Sequence, residues 1–117
     1  MNNDVFVVRM NKIAQFLGDC RYVASVIAKR KSLSKSRIRK IADYRLFFES
    51  LQLDPVFAPL ASHSLRVLNE TTEYIHIYNK TGHTSELNQK AERIESLLDF
   101  YDTLLDQIER EARVDGV

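Results

Sequence analysis

Apolar residues recur along this chain at alternating spacings of four and three, the period of a helix that buries one face. From about residue 4 to 31, Phe6, Met10, Ile13, Leu17, Cys20, Ala24 and Ile27 keep that spacing without a break. From about 85 to 113, Leu87, Ala91, Ile94, Leu98, Tyr101, Leu105, Ile108 and Ala112 do the same. Phe16 and Val23 widen the first apolar arc, and Leu97 and Leu104 the last, so each is broader than the seam of a two-stranded coiled coil. A face of that width suits a compact bundle. Two shorter patterns lie between: Ile38, Ile41, Tyr44, Phe48 and Leu51 over about 35–52, then Ala61, Leu65, Leu68, Thr72 and Ile75 over about 59–80.

The punctuation agrees with four segments. Ser34 is placed to cap the second helix, and Thr84 or Ser85 the last, because their side-chain oxygens accept from backbone amides that a helix start leaves unpaired. Pro55, Pro59 and Gly82 mark the connections. Val5–Val8 and Thr71–Tyr78 are rich enough in β-branched and aromatic residues to read as strand, but no partner strand is visible, so helix is expected in both. The fold expected is all-α: one domain over 1–117, an antiparallel four-helix bundle with long first and last helices and short connections.

The first helix has more apolar surface than such a bundle needs. Val7, Ala14 and Ala28, with Gly18 and Ser25 beside them, extend its weakly polar arc past half the circumference. Each helix of a four-helix monomer keeps one side in water, so the excess predicts self-association, through Phe6, Val7, Met10, Ala14 and Leu17. Leu46, Phe47, Val56 and Phe57 are difficult to bury in one bundle and form a candidate exposed apolar patch.

Composition narrows the class. An apolar content of 44% over 117 residues sustains a single core, and three glycines with two prolines are too few for a many-stranded sheet. The single cysteine, Cys20, excludes an internal disulfide and points to a reducing, cytoplasmic setting. It falls on the first seam, as a buried structural thiol would. No run approaches eighteen apolar residues and the start is not a signal leader, so no membrane association is expected.

Charge is distributed unevenly, although the net value is only +1. Residues 1–58 carry eleven Lys/Arg against five Asp/Glu, and residues 59–117 carry six against eleven. The excess cations concentrate in a basic arm of Lys29, Arg30, Lys31, Lys35, Arg37, Arg39 and Lys40. The acids form a stripe at helical spacing: Glu92, Glu95, Asp99, Asp102, Asp106 and Glu109. Three uses of the arm compete. It could lie along the stripe, within one chain or between copies; it could bind phosphates of nucleic acid or another anionic surface; or it could be a solvated connector. The first is favoured, because no nucleic-acid motif and no aromatic residues interleave the cations.

No catalytic constellation emerges. His63, His76 and His83 lack metal-ligand spacing, and no glycine-rich phosphate loop is present, so no metal, no cofactor and no enzymatic chemistry are expected. The function read from these residues is a non-catalytic protein–protein interaction module: a small adaptor, regulator or assembly component that binds a protein partner or itself through helix faces. A nucleic-acid-associated regulator using residues 29–40 is the alternative.

Residues 38–117 also faintly resemble the C-terminal helical region of the bacterial toxic-anion-resistance and chloroindolyl-phosphate-hydrolysis family. The likeness rests on Ile41–Pro55, on Leu65-Arg66-Val67-Leu68 followed by Glu73-Tyr74, and on Ile94-Glu95-Ser96-Leu97-Leu98. These are helix-bundle patterns of low specificity; they carry no catalytic residue over and are not taken as membership.

Overall fold

A computed structural model describes residues 3–116, with side chains from 4 to 112. Its helices are α1 (Asn3–Ala28), α2 (Lys35–Leu51), α3 (Ala58–Thr81), α4 (Ser85–Asp99) and α5 (Tyr101–Gly116). Both stretches with strand character are helical; in the second, tertiary burial of Tyr74 and Ile75 overrides the local preference. Together α4 and α5 form the fourth arm of a four-helix bundle measuring 51 × 25 × 21 Å.

Consecutive arms run antiparallel, as their cross-links show. Along α2 and α3, Gln52 bonds Ser62 and Arg45 bonds Asn69, so partners rise in number on one helix as they fall on the other. The same holds for α3 and α4, where Lys90 reaches Glu70 while Leu97 meets His63. Short connections enforce this order, and local chemistry ends each helix. Ser34 Oγ accepts from the Arg37 amide and Thr84 Oγ1 from the Leu87 amide, as the capping positions predict.

The first helix holds its whole apolar seam but ends before the expected residue 31. It closes at Ala28 in a Schellman turn, with Lys31 N–H donating to the Val26 carbonyl and Arg30 N–H to that of Ile27. Arg30 takes the left-handed position, φ 58°, that glycine ordinarily fills. The last helix is not continuous either: its helical ladder is interrupted at Phe100.

The two seams meet in one core, with Ile13, Phe16, Ile27, Leu87 and Ile94 among its buried members. Phe16 is central, edge-on to both Tyr44 and Phe48 at 5.0 and 4.8 Å. Phe57 corrects the expected exposed patch. It is fully buried, because the loop between α2 and α3 turns it inward beneath Phe6, and Arg9 lies over its ring at 5.3 Å. Arg9 also pairs with Asp54 at 2.6 Å, and Asp54 accepts from the Val56 amide, fixing the loop that delivers Phe57. Phe47 and Val56 are half-buried, which leaves Leu46 as the one fully exposed member of the four.

Candidate functional site

Asp19 decides what the basic arm does within the chain. It lies on α1, nearly buried, and α2 begins directly across from it. Arg37 and Lys40 place nitrogens 3.2 and 3.4 Å from its carboxylate, and the Tyr44 hydroxyl donates to it at 2.6 Å. Arg37 also covers the Tyr22 ring at 4.2 Å. Burial of a carboxylate is tolerated only with such compensation. The arm therefore divides into a structural pair, Arg37 and Lys40, and an exposed remainder: Lys29, Arg30, Lys31, Lys35 and Arg39.

The acidic stripe is not the arm's partner within one chain, which corrects that form of the expectation. Glu92, Glu95, Asp99, Asp102, Asp106 and Glu109 are all exposed. Among the described residues none of the six has a Lys or Arg nitrogen within ion-pair distance. The cations of α4 face α3 instead: Lys90 lies 2.8 Å from Glu70 and 2.7 Å from Glu73. Position along the helix explains this. Lys90 points to α3, whereas the stripe points away from α3 toward α1 and water.

Between α1 and α4 the bundle is open. Backbone contact ties α1 chiefly to α2 and α3. The gap is a groove of about 420 Å³. Its floor is Cys20, Thr71, Tyr74, Ile94 and Leu98, and its shoulders are the small residues Ala24, Ala28 and Ala91. Arg21 stands on the α1 margin, opposite Glu95 and Asp99 on the α4 margin. An apolar channel with charged edges is the shape into which an amphipathic helix fits.

The groove offers little chemistry. Burial pushes the Cys20 thiol up to about 12, outweighing the weak hydrogen bond that Thr71 donates to it at 3.9 Å, so it stays protonated and unreactive at neutral pH. His63 and His83 are engaged with the carbonyls of Leu97 and Ile27 at 2.6 and 3.0 Å. Among the described residues no three His, Cys, Asp or Glu side chains converge as metal ligands.

No family model, curated protein or solved structure matches this chain.

The expected self-association face is partly inside the molecule. Leu17 is buried, while Phe6 and Met10 are half-buried against the core; Val7 and Ala14 are exposed. The outward face lies one position further around α1, along Val7, Asn11, Ala14, Gly18, Arg21, Ser25 and Ala28, all exposed and again spaced by four and three. Gly18 sits near the middle, and a Cβ built on it meets nothing within 4 Å. Glycine in an exposed helix interior costs about 1 kcal/mol relative to alanine, and no contact inside the chain calls for it.

Asp19 and the groove shoulders were not legible as site residues. An isolated acid on an apolar helix is the signal that could have found Asp19, since it needs a cation from elsewhere. Of the groove alanines, Ala24 and Ala91 were visible only as seam members and Ala28 only as part of the weakly polar flank of the first helix. No helix among the described residues is long and apolar enough to cross a membrane.

Proposed function

We propose that this protein is a non-catalytic protein–protein interaction module whose working surface is the α1/α4 face. The open groove carries this reading. A bundle of four arms ordinarily closes each neighbouring pair with interdigitating side chains, and here one pair is left with small shoulders and an apolar floor. The exposed acids Glu95 and Asp99 edge one side and a weakly polar helix face the other. A docked helix would bury the floor and find charge at the margins.

A photo-cross-linking residue at Ala24, compared with one at exposed Leu46, tests this in cells that express the full chain. The reading expects a protein adduct at Ala24 and none at Leu46. Equal capture at both positions, or none at Ala24, contradicts it.

The nucleic-acid alternative keeps one favourable observation: Lys29, Arg30, Lys31, Lys35 and Arg39 are exposed with no carboxylate paired to them among the described residues. Titration with duplex DNA and with RNA at several salt concentrations tests it. Phosphate neutralisation requires affinity that falls steeply with salt, and undetectable binding at low salt removes the alternative.

A further inference from the structure

We infer that the occupant of the α1/α4 face is a second copy of this chain, docked antiparallel so that the basic end of each copy covers the acidic end of the other. This rests on the interaction reading above and names its partner.

The two ends are set by the topology. Tyr78 donates to the Lys31 carbonyl and His83 bonds that of Ile27, so the close of α1, the close of α3 and the start of α4 share one end with the exposed Lys29, Arg30, Lys31, Lys35 and Arg39. Tyr101 is held at Ser64 near the start of α3, and α5 runs from there toward the opposite end, carrying Asp102, Asp106 and Glu109. The charges are thus separated along the 51 Å axis. Among the described residues these acids have no Lys or Arg nitrogen within ion-pair distance, and a copy turned end for end supplies a row of cations to them.

The α1 face allows that approach. A two-fold axis near Ala14 and Gly18 puts the least bulky part of the exposed face at the crossing, which explains a glycine that nothing inside the chain requires. Arg21 and Lys29–Lys31 of one copy then lie over Asp102–Glu109 of the other. The size also suits. With 26 residues, α1 is about 39 Å long, and a strip two helices wide is about 20 Å across, giving about 800 Å² per copy, the usual half-share of a stable interface.

Two sets of charge reversals on the full chain test the pairing. Arg21, Lys29 and Lys31 to Glu in one variant, and Asp102, Asp106 and Glu109 to Lys in another, should each weaken self-association at least tenfold. An equimolar mixture of the two should form a heterodimer, because every arm then faces a stripe of opposite sign. Spin labels report the orientation. Labels at Ala14→Cys should lie within about 20 Å of each other across the dimer, and those at Ala28→Cys beyond about 36 Å, twelve residues either side of the crossing. Circular dichroism of each variant identifies any that fails to fold, and the label distances then carry the test. A mixture that stays monomeric, or short distances at both sites, overturns the arrangement. A monomeric native chain that is nevertheless cross-linked at Ala24 to a different protein overturns the second copy while leaving the interaction reading intact. No protein adduct at Ala24 removes both.

Discussion

His63 Nε2 lies 2.6 Å from the carbonyl oxygen of Leu97, the acceptor that an unbroken helix would offer to the amide of Tyr101. A carbonyl only accepts, so the imidazole donates from Nε2. A side chain that enters the ladder in this way bends a helix, and the break between α4 and α5 falls at the next turn, at Phe100. The His63 ring stands 5.2 and 5.0 Å from the rings of Phe100 and Tyr101, and Ser64 accepts the buried Tyr101 hydroxyl at 2.6 Å. Adjacent residues of α3 therefore hold both sides of the joint.

Ser64→Ala strands the Tyr101 hydroxyl in the core and should cost about 1–3 kcal/mol. Tyr101→Phe should strand the serine hydroxyl similarly, and the double variant should be less destabilised than the sum. A double-mutant cycle by urea unfolding checks this, with full additivity as the contrary result.

Removing Asp19 should be more damaging than removing any acid of the exposed stripe. Asp19→Ala leaves the buried Tyr44 hydroxyl without its acceptor and removes the partner of Arg37 and Lys40, which water can reach, at about 1–3 kcal/mol. Asp106→Ala should fall within about 0.5 kcal/mol of the native chain in the monomer. Chemical denaturation of both variants gives the comparison.

Arg30→Gly should stabilise the fold by about 1 kcal/mol. The residue is held at φ 58°, where a side chain is strained and glycine is not. An unchanged or lower melting temperature would show that the arginine side chain has a stabilising contact that outweighs the strain.

Alkali should unfold the protein. Burial raises the Cys20 thiol from 9.0 to about 12 and raises Tyr101; burial and the bond to Asp19 raise Tyr44; hydrogen bonds to Glu70 and Glu73 raise Lys90. A folded-state pKa above the unfolded value contributes stability that is intact below the unfolded pKa and lost as pH rises through the folded one. Stability should therefore hold to about pH 9 and fall above it, with Cys20 responsible for up to about 1.4 kcal/mol per pH unit between 9.0 and about 12. Cys20→Ala should flatten that slope by about one proton.

The heptad spacing of Ile13, Ile27, Leu87, Ile94 and Ile108 made the helices and the core readable, because burial of a helix face needs only its own period. The Ser34 and Thr84 caps were readable for the same local reason. What escaped depends on another part of the chain. The break at Phe100 is made by His63 on a different helix, the burial of Phe57 by a loop that Arg9 ties down, and the role of Arg37 and Lys40 in the basic arm by Asp19. The end of α1 at Ala28 escaped because an arginine occupies the turn position that glycine would have announced. Of the docking surface, the acidic stripe was legible as a margin, but the groove beside it is a gap between helices, and spacing along one helix cannot register a gap.

Sedimentation velocity of the full chain, native and Gly18→Arg, over rising concentration at low salt tests the central claim most directly. Arginine is the better helix former by nearly 1 kcal/mol, and the exposed position has room for it, so the variant should melt no lower than the native chain. The account predicts twice the chain mass for the native protein and one chain mass for the variant. A native protein that stays at one chain mass, or a variant that dimerises equally well, would contradict it.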